Sequence, residues 1–174
     1  MIPLRSLSLA LLCAVGACSQ ATVGPQPAAS APMEGVEAAA APDYAAYAGQ
    51  LYPAVAADAV MARYSLEALA IPAAEKARFE HAMSNALPGV LAGGGGAQAL
   101  VFSGCAPSGC LEGLSVVAID VRSGEVFVGV SDQAGADKLV PNDRLEALLR
   151  LTSPSQNWDD PVRPGRGAPS AAAP

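Results

Sequence analysis

Leu114-Ser115-Val116-Val117-Ala118-Ile119-Asp120-Val121 is the stretch on which the fold turns. In an extended chain successive side chains point to opposite faces. Leu114, Val116 and Ala118 then share one side, and Ser115, Val117, Ile119 and Val121 the other. Both faces are mostly apolar, which suits a central strand covered on each side. Arg122-Ser123-Gly124 reads as a tight turn, with Glu125 to Val130 returning as an antiparallel partner. Upstream, Ala99 to Ser103 reads as a further strand. Between it and the central one lies Cys105-Ala106-Pro107-Ser108-Gly109-Cys110, a six-residue loop bounded by cysteines. If the two sulfurs are bonded, the loop is a rigid tip at the end of a sheet, stiffened further by Pro107. Closing about six residues removes roughly 2 kcal/mol of unfolded-chain entropy, enough to shape a loop but not to hold a domain together. Spacing alone leaves open both a structural clip on a β-connection and a preorganised projection that loses little entropy on binding.

Outward from the strands, Ala54 to Ala70 reads as weakly patterned helix between Pro53 and Pro72. A clearer helix is expected from Ala73 to Asn85, with Phe79, Met83 and Ala86 on one face and Arg78, His81 and Asn85 facing away. Leu87-Pro88 ends it, and Gly93 to Gly96 reads as a flexible link into the sheet. That glycine run lacks the Gly-Lys-Ser/Thr ending and the helix that a phosphate cradle requires. A last helix is expected from Asp143 to Leu151, capped by Asn142 or Asp143. Its buried stripe is Leu145, Leu148, Leu149 and Thr152, and Pro154 stops it. Helices, strands and a helix in that order give an α+β domain, with helices packed on an antiparallel sheet.

Aromatic residues make up only 5% of the chain, so the expected core is mainly Val, Leu, Ile and Ala. Sixteen carboxylates against ten bases give a formal charge of −6. This argues against nucleic acid and favours a basic partner. The single histidine, His81, excludes a His-based nucleophile system and a multi-histidine metal site, and reads as a solvated surface residue. Two cysteines without histidine partners do not complete a four-ligand zinc site. Asp120, Glu125 and Asp132 sit on or beside strands with no visible pairing. No catalytic constellation, metal site or cofactor site is legible, and the expectation is a protein that is not an enzyme. A thiol–disulfide enzyme at Cys105 and Cys110 is the rival, with four intervening residues where thioredoxin-like motifs have two.

The N-terminus reads as a targeting signal, with Arg5 as the positive region and Leu7 to Val15 as an apolar run too short to span a bilayer. Val15-Gly16-Ala17-Cys18 resembles the bacterial lipobox. The resemblance implies a signal peptide over residues 1–17, cleavage before Cys18 and lipid on its sulfur. Cys13 then leaves with the signal, and Cys105 and Cys110 remain as one pair in an oxidising compartment. Losing Arg5 takes the formal charge to −7. By resemblance to the sorting rule of enteric-type bacteria, in which aspartate after the lipidated cysteine signals retention at the inner membrane, Ser19 implies an outer-membrane lipoprotein facing the periplasm. Cys18 to Pro42, rich in Ala and Pro, reads as a flexible tether reaching about 27 Å as a coil and about 70 Å if extended. The folded domain is expected over residues 43–160, and 161–174 as a disordered Pro/Gly/Ala tail.

From Glu75 to Val130 the chain resembles the inhibitor of vertebrate lysozyme (Ivy) family. The resemblance rests on Lys76-Ala77-Arg78-Phe79 with Leu87-Pro88-Gly89-Val90, on Ser103-Gly104-Cys105, and on the Cys-x-Pro-x-x-Cys ring followed by a long apolar strand. It implies a periplasmic α+β domain, often a homodimer, whose protruding disulfide loop enters the cleft of a c-type lysozyme or related muramidase. The implied contact residues are Ala106, Pro107, Ser108 and Gly109. Cys105, Pro107 and Cys110 agree with the family, while its lysine, histidine and aspartate positions hold Ala106, Ser108 and Gly109. Ser108 can donate one hydrogen bond but offers no positive charge to catalytic acids.

Overall fold

The computed structural model describes residues 42–161. The expected signal peptide with Cys18, the expected tether up to residue 41 and the expected tail from 162 onward lie outside the described residues. Three α-helices and six strands follow in order: α1 (Tyr52–Ala57), α2 (Ala73–Ala82), β1 (Asn85–Ala86), β2 (Val90–Gly94), β3 (Ala97–Ala106), β4 (Gly109–Asp120), β5 (Val126–Asp132), β6 (Gly135–Val140) and α3 (Asp143–Thr152), with short 3-10 helices at Tyr44–Tyr47 and Ala62–Tyr64. All strand pairs are antiparallel, in the order β1-β3-β4-β5-β6, with β2 also paired to β3. The chain is thus an α+β domain built on an antiparallel sheet, and β4 is its central strand.

The alternation of β4 divides the core in two. Val117 and Ile119 join Leu100, Phe102 and Val128 under α1, α2 and the intervening segment, which supply Tyr52, Val55, Met61, Tyr64, Leu66 and Phe79. Val116 and Ala118 join Ala99, Val101 and Phe127 beneath Leu145, Leu148 and Leu149 of α3 and beneath Trp158. Aromatics are few yet central. Tyr44, Tyr52, Tyr64, all three phenylalanines and Trp158 are buried, so the expected aliphatic core is in fact pinned by rings. Tyr52 lies 5.7 Å from Phe79 and 5.8 Å from Phe102, centroid to centroid, and Phe127 lies 5.4 Å from Trp158.

Several boundaries differ from the sequence expectation. The helix expected over 54–70 is only α1 and a short 3-10 turn at Ala62–Tyr64. Asp58 ends α1 because its carboxylate accepts from the backbone N–H groups of Val60 and Met61, competing with the helical ladder. α2 stops at Ala82, and Asn85 and Ala86 pair instead with Cys105 and Gly104. Gly93 and Gly94 belong to β2, and Gly95 and Gly96, with φ of +58° and +78°, make the tight turn into β3. This is a hairpin rather than a flexible link. β6 escaped notice because Gly135 to Lys138 are exposed at the sheet edge, where no apolar alternation is needed. The last helix matches closely, with Asn142 accepting from the Leu145 N–H as its cap.

Ion pairs lock the helices to the sheet. Arg78 of α2 forms a two-pronged bond to Asp132, both contacts 2.8 Å, and reaches Asp137 at 2.5 Å. Lys138 of β6 meets Glu146 of α3 at 2.5 Å, and Arg144 lies 3.2 Å from the buried Asp120. Asp120 also accepts from the backbone N–H groups of Arg122 and Ser123, fixing the β4–β5 turn. Both aspartates therefore have structural partners that were not visible in the sequence.

A β-carbon on Gly129 would lie 2.4 Å from Trp158 Cζ3, so Gly129→Ala should cost about 2 kcal/mol in urea unfolding and red-shift the emission of the single tryptophan. The guanidinium of Arg78 holds the Asp132 carboxyl below its ordinary range. A depressed folded value means that the stabilisation is complete above the unfolded value of about 4 and fades as pH falls below it. Urea midpoints from pH 6 downward should therefore fall less steeply for Arg78→Met than for the unaltered chain.

Candidate functional site: the disulfide-closed hairpin tip

β3 and β4 meet at a loop of two residues, Pro107 and Ser108, between the paired Ala106 and Gly109. Proline fixes the first turn dihedral, and Gly109 takes φ +120°, a conformation that side chains disfavour. Cys105 and Cys110 are bonded, with Cα atoms 4.5 Å apart. The register then jumps. Ala106 pairs with Gly109 but Cys105 pairs with Leu114, so residues 110–113 of β4 have no partner on β3 and form a bulge beside the disulfide.

The seat of the tip comes from three contacts. Asn85 Nδ2 donates to the Ala106 carbonyl at 3.0 Å. Gly104 lets the end of α2 press onto the sheet, since a β-carbon there would lie 2.6 Å from Met83 Sδ and 2.8 Å from Met83 Cα. Gly113 sits where a β-carbon would be 3.3 Å from that of Ala82. The base of the hairpin is therefore held by α2 and β1 while its end stands free.

Exposure within the ring is uneven. Pro107 and Ser108 are exposed, and Gly109 and Cys110 are half-buried. Ala106, expected at the contact surface, is fully buried and cannot meet a partner without unfolding the hairpin end. No residue from Ala106 to Gly109 is ionisable. Past the disulfide, Leu111 is wholly exposed, at 104% of its reference area. Its neighbour Glu112 is half-buried, with Oε2 closed off from solvent and without a hydrogen-bond partner. Sequence reading passed over Leu111. Its signal was a large apolar residue placed before the alternating run of β4 begins.

Elsewhere, His81 is exposed on α2. A groove of about 350 Å³ beside α1 and α2 is lined by Tyr52, Leu66, Phe79, Met83, Glu67 and Glu80, and Lys76 pairs with both glutamates. Among the described residues no three His, Cys, Asp or Glu side chains converge as a metal site would require. No described helix is long and apolar enough to cross a membrane.

No protein-family model, no curated protein and no solved structure matches this chain.

Breaking the disulfide should loosen the tip and leave the sheet intact. Cys105→Ser with Cys110→Ser is expected to cost about 2 kcal/mol of stability. Amide exchange should speed up at residues 106–113 while the paired centre of β4 stays protected, as hydrogen–deuterium exchange would read.

Proposed function

We propose that this protein is a non-enzymatic, lipid-anchored protein of the bacterial cell envelope. It carries an Ivy-like domain and inhibits a c-type lysozyme or a related muramidase through the tip spanning residues 105–110. The carrying observation is the tip itself: a two-residue loop closed by the Cys105–Cys110 bond, presenting Pro107 and Ser108 from a base held by Asn85 and α2. Such a probe loses little conformational freedom on entering a cleft. With Arg5 lost with the signal, a formal charge of −7 suits a basic enzyme by electrostatic steering. Lipid on Cys18 would hold the protein at the outer membrane facing the periplasm, with the tether giving reach across the space where a muramidase attacks. In a homodimer each protomer would carry its own tip.

A second reading is favoured by Ser108. It supplies a hydroxyl where the Ivy family has an ionisable ring, so the tip has no charge to set against catalytic carboxylates. In that reading the protein keeps the domain as a non-inhibitory envelope interaction lipoprotein and meets another partner. One assay separates the two. Full-length protein added to c-type lysozyme should slow the loss of turbidity of a cell-wall suspension, and Ser108→His should strengthen the effect about tenfold. No inhibition by micromolar protein, with the histidine variant equally inert, removes the first reading. Labelling with a radioactive lipid precursor should mark the unaltered protein and not Cys18→Ala.

A further inference from the structure

We infer that Leu111 is the apolar anchor through which the tip meets a c-type lysozyme or related muramidase, next to the contact made by Ser108. The inference rests on the inhibitor reading above and names the contact that would carry its affinity. Three observations converge on the residue. The bulge of residues 110–113 interrupts the longest pairing in the sheet, and bulges of this kind re-aim a side chain at the expense of ladder hydrogen bonds. In the same bulge one side-chain oxygen of Glu112 is closed off from solvent without a hydrogen-bond partner. Between the half-buried Cys110 and Glu112, Leu111 stands entirely outside the domain.

A single exposed leucine is ordinary on a protein surface. Leu111 differs in its mounting. The disulfide fixes the chain at Cys110 just before it, and two residues further on Gly113 pairs with Asp132 of β5 and lies close against Ala82. Its backbone is therefore constrained on both sides, and binding would order little more than one side chain. With no ionisable group from Ala106 to Gly109, the exposed tip offers Pro107, Ser108 and Leu111 as its contact groups, and only Leu111 brings a large apolar area. Hot spots of this kind seat in a dry pocket ringed by weaker contacts.

The test compares the full-length protein with Leu111→Ala, Leu111→Met and Ser108→Ala for binding to surface-immobilised c-type lysozyme, with thermal melting of each. Removing the leucine branch should weaken binding roughly 10- to 50-fold through faster dissociation. Methionine should restore most of the affinity, Ser108→Ala should cost less than Leu111→Ala, and all four melting temperatures should coincide. Unaltered affinity in Leu111→Ala, with the parent protein binding, overturns the anchor and leaves the inhibitor reading standing. A parent protein that does not bind lysozyme overturns both.

Discussion

Burial of β4 on both faces is the constraint from which the rest of the structure follows. A strand with Val117 and Ile119 on one side and Val116 and Ala118 on the other has no face to give to water. Each face needs its own cover. The segment before the sheet supplies one and the segment after it the other, so the sheet lies between two separate apolar clusters. The two covers differ in make-up. The first uses large rings, which span a patchwork of short helices and turns. The second uses leucines of one amphipathic helix closed over alanines of the sheet, with Trp158 completing it against Phe127.

Charges then fix how these layers sit. Arg78 ties α2 to the β5–β6 turn, Lys138 ties β6 to α3, and Arg144 ties α3 to the end of β4. Asp132 and Glu146 are largely shielded from solvent and Asp120 is buried, so their bonds are more specific than those of exposed surface pairs. The β6 edge, which has little apolar surface of its own, is held from both faces in this way.

The same central strand positions the tip. β4 extends beyond the part covered on both faces, and its first residues fold back with β3 as a disulfide-closed hairpin over the end of α2. Close approaches at Gly104 and Gly113 make that end of the domain rigid, while Pro107, Ser108 and Leu111 remain outside it. Rigidity at the base with exposure at the end is what recognition by insertion requires.

Alternation and punctuation are local properties, and through them the sequence by itself determined the α+β class, β4 as a doubly covered strand, the hairpin to β5, and α3 with its Asn142 cap. These features depend on side chains at spacings of two or of three to four residues. What depended on distant partners was decided only in the tertiary structure. Asn85 leaves the helix because β3 offers it a ladder, and β6 forms because β5 and two ion pairs hold an otherwise unpatterned segment. Ala106 is buried and Leu111 exposed because the strands change register at the disulfide. A register jump leaves no periodic trace in the chain that makes it, since it exists only as a relation between two strands.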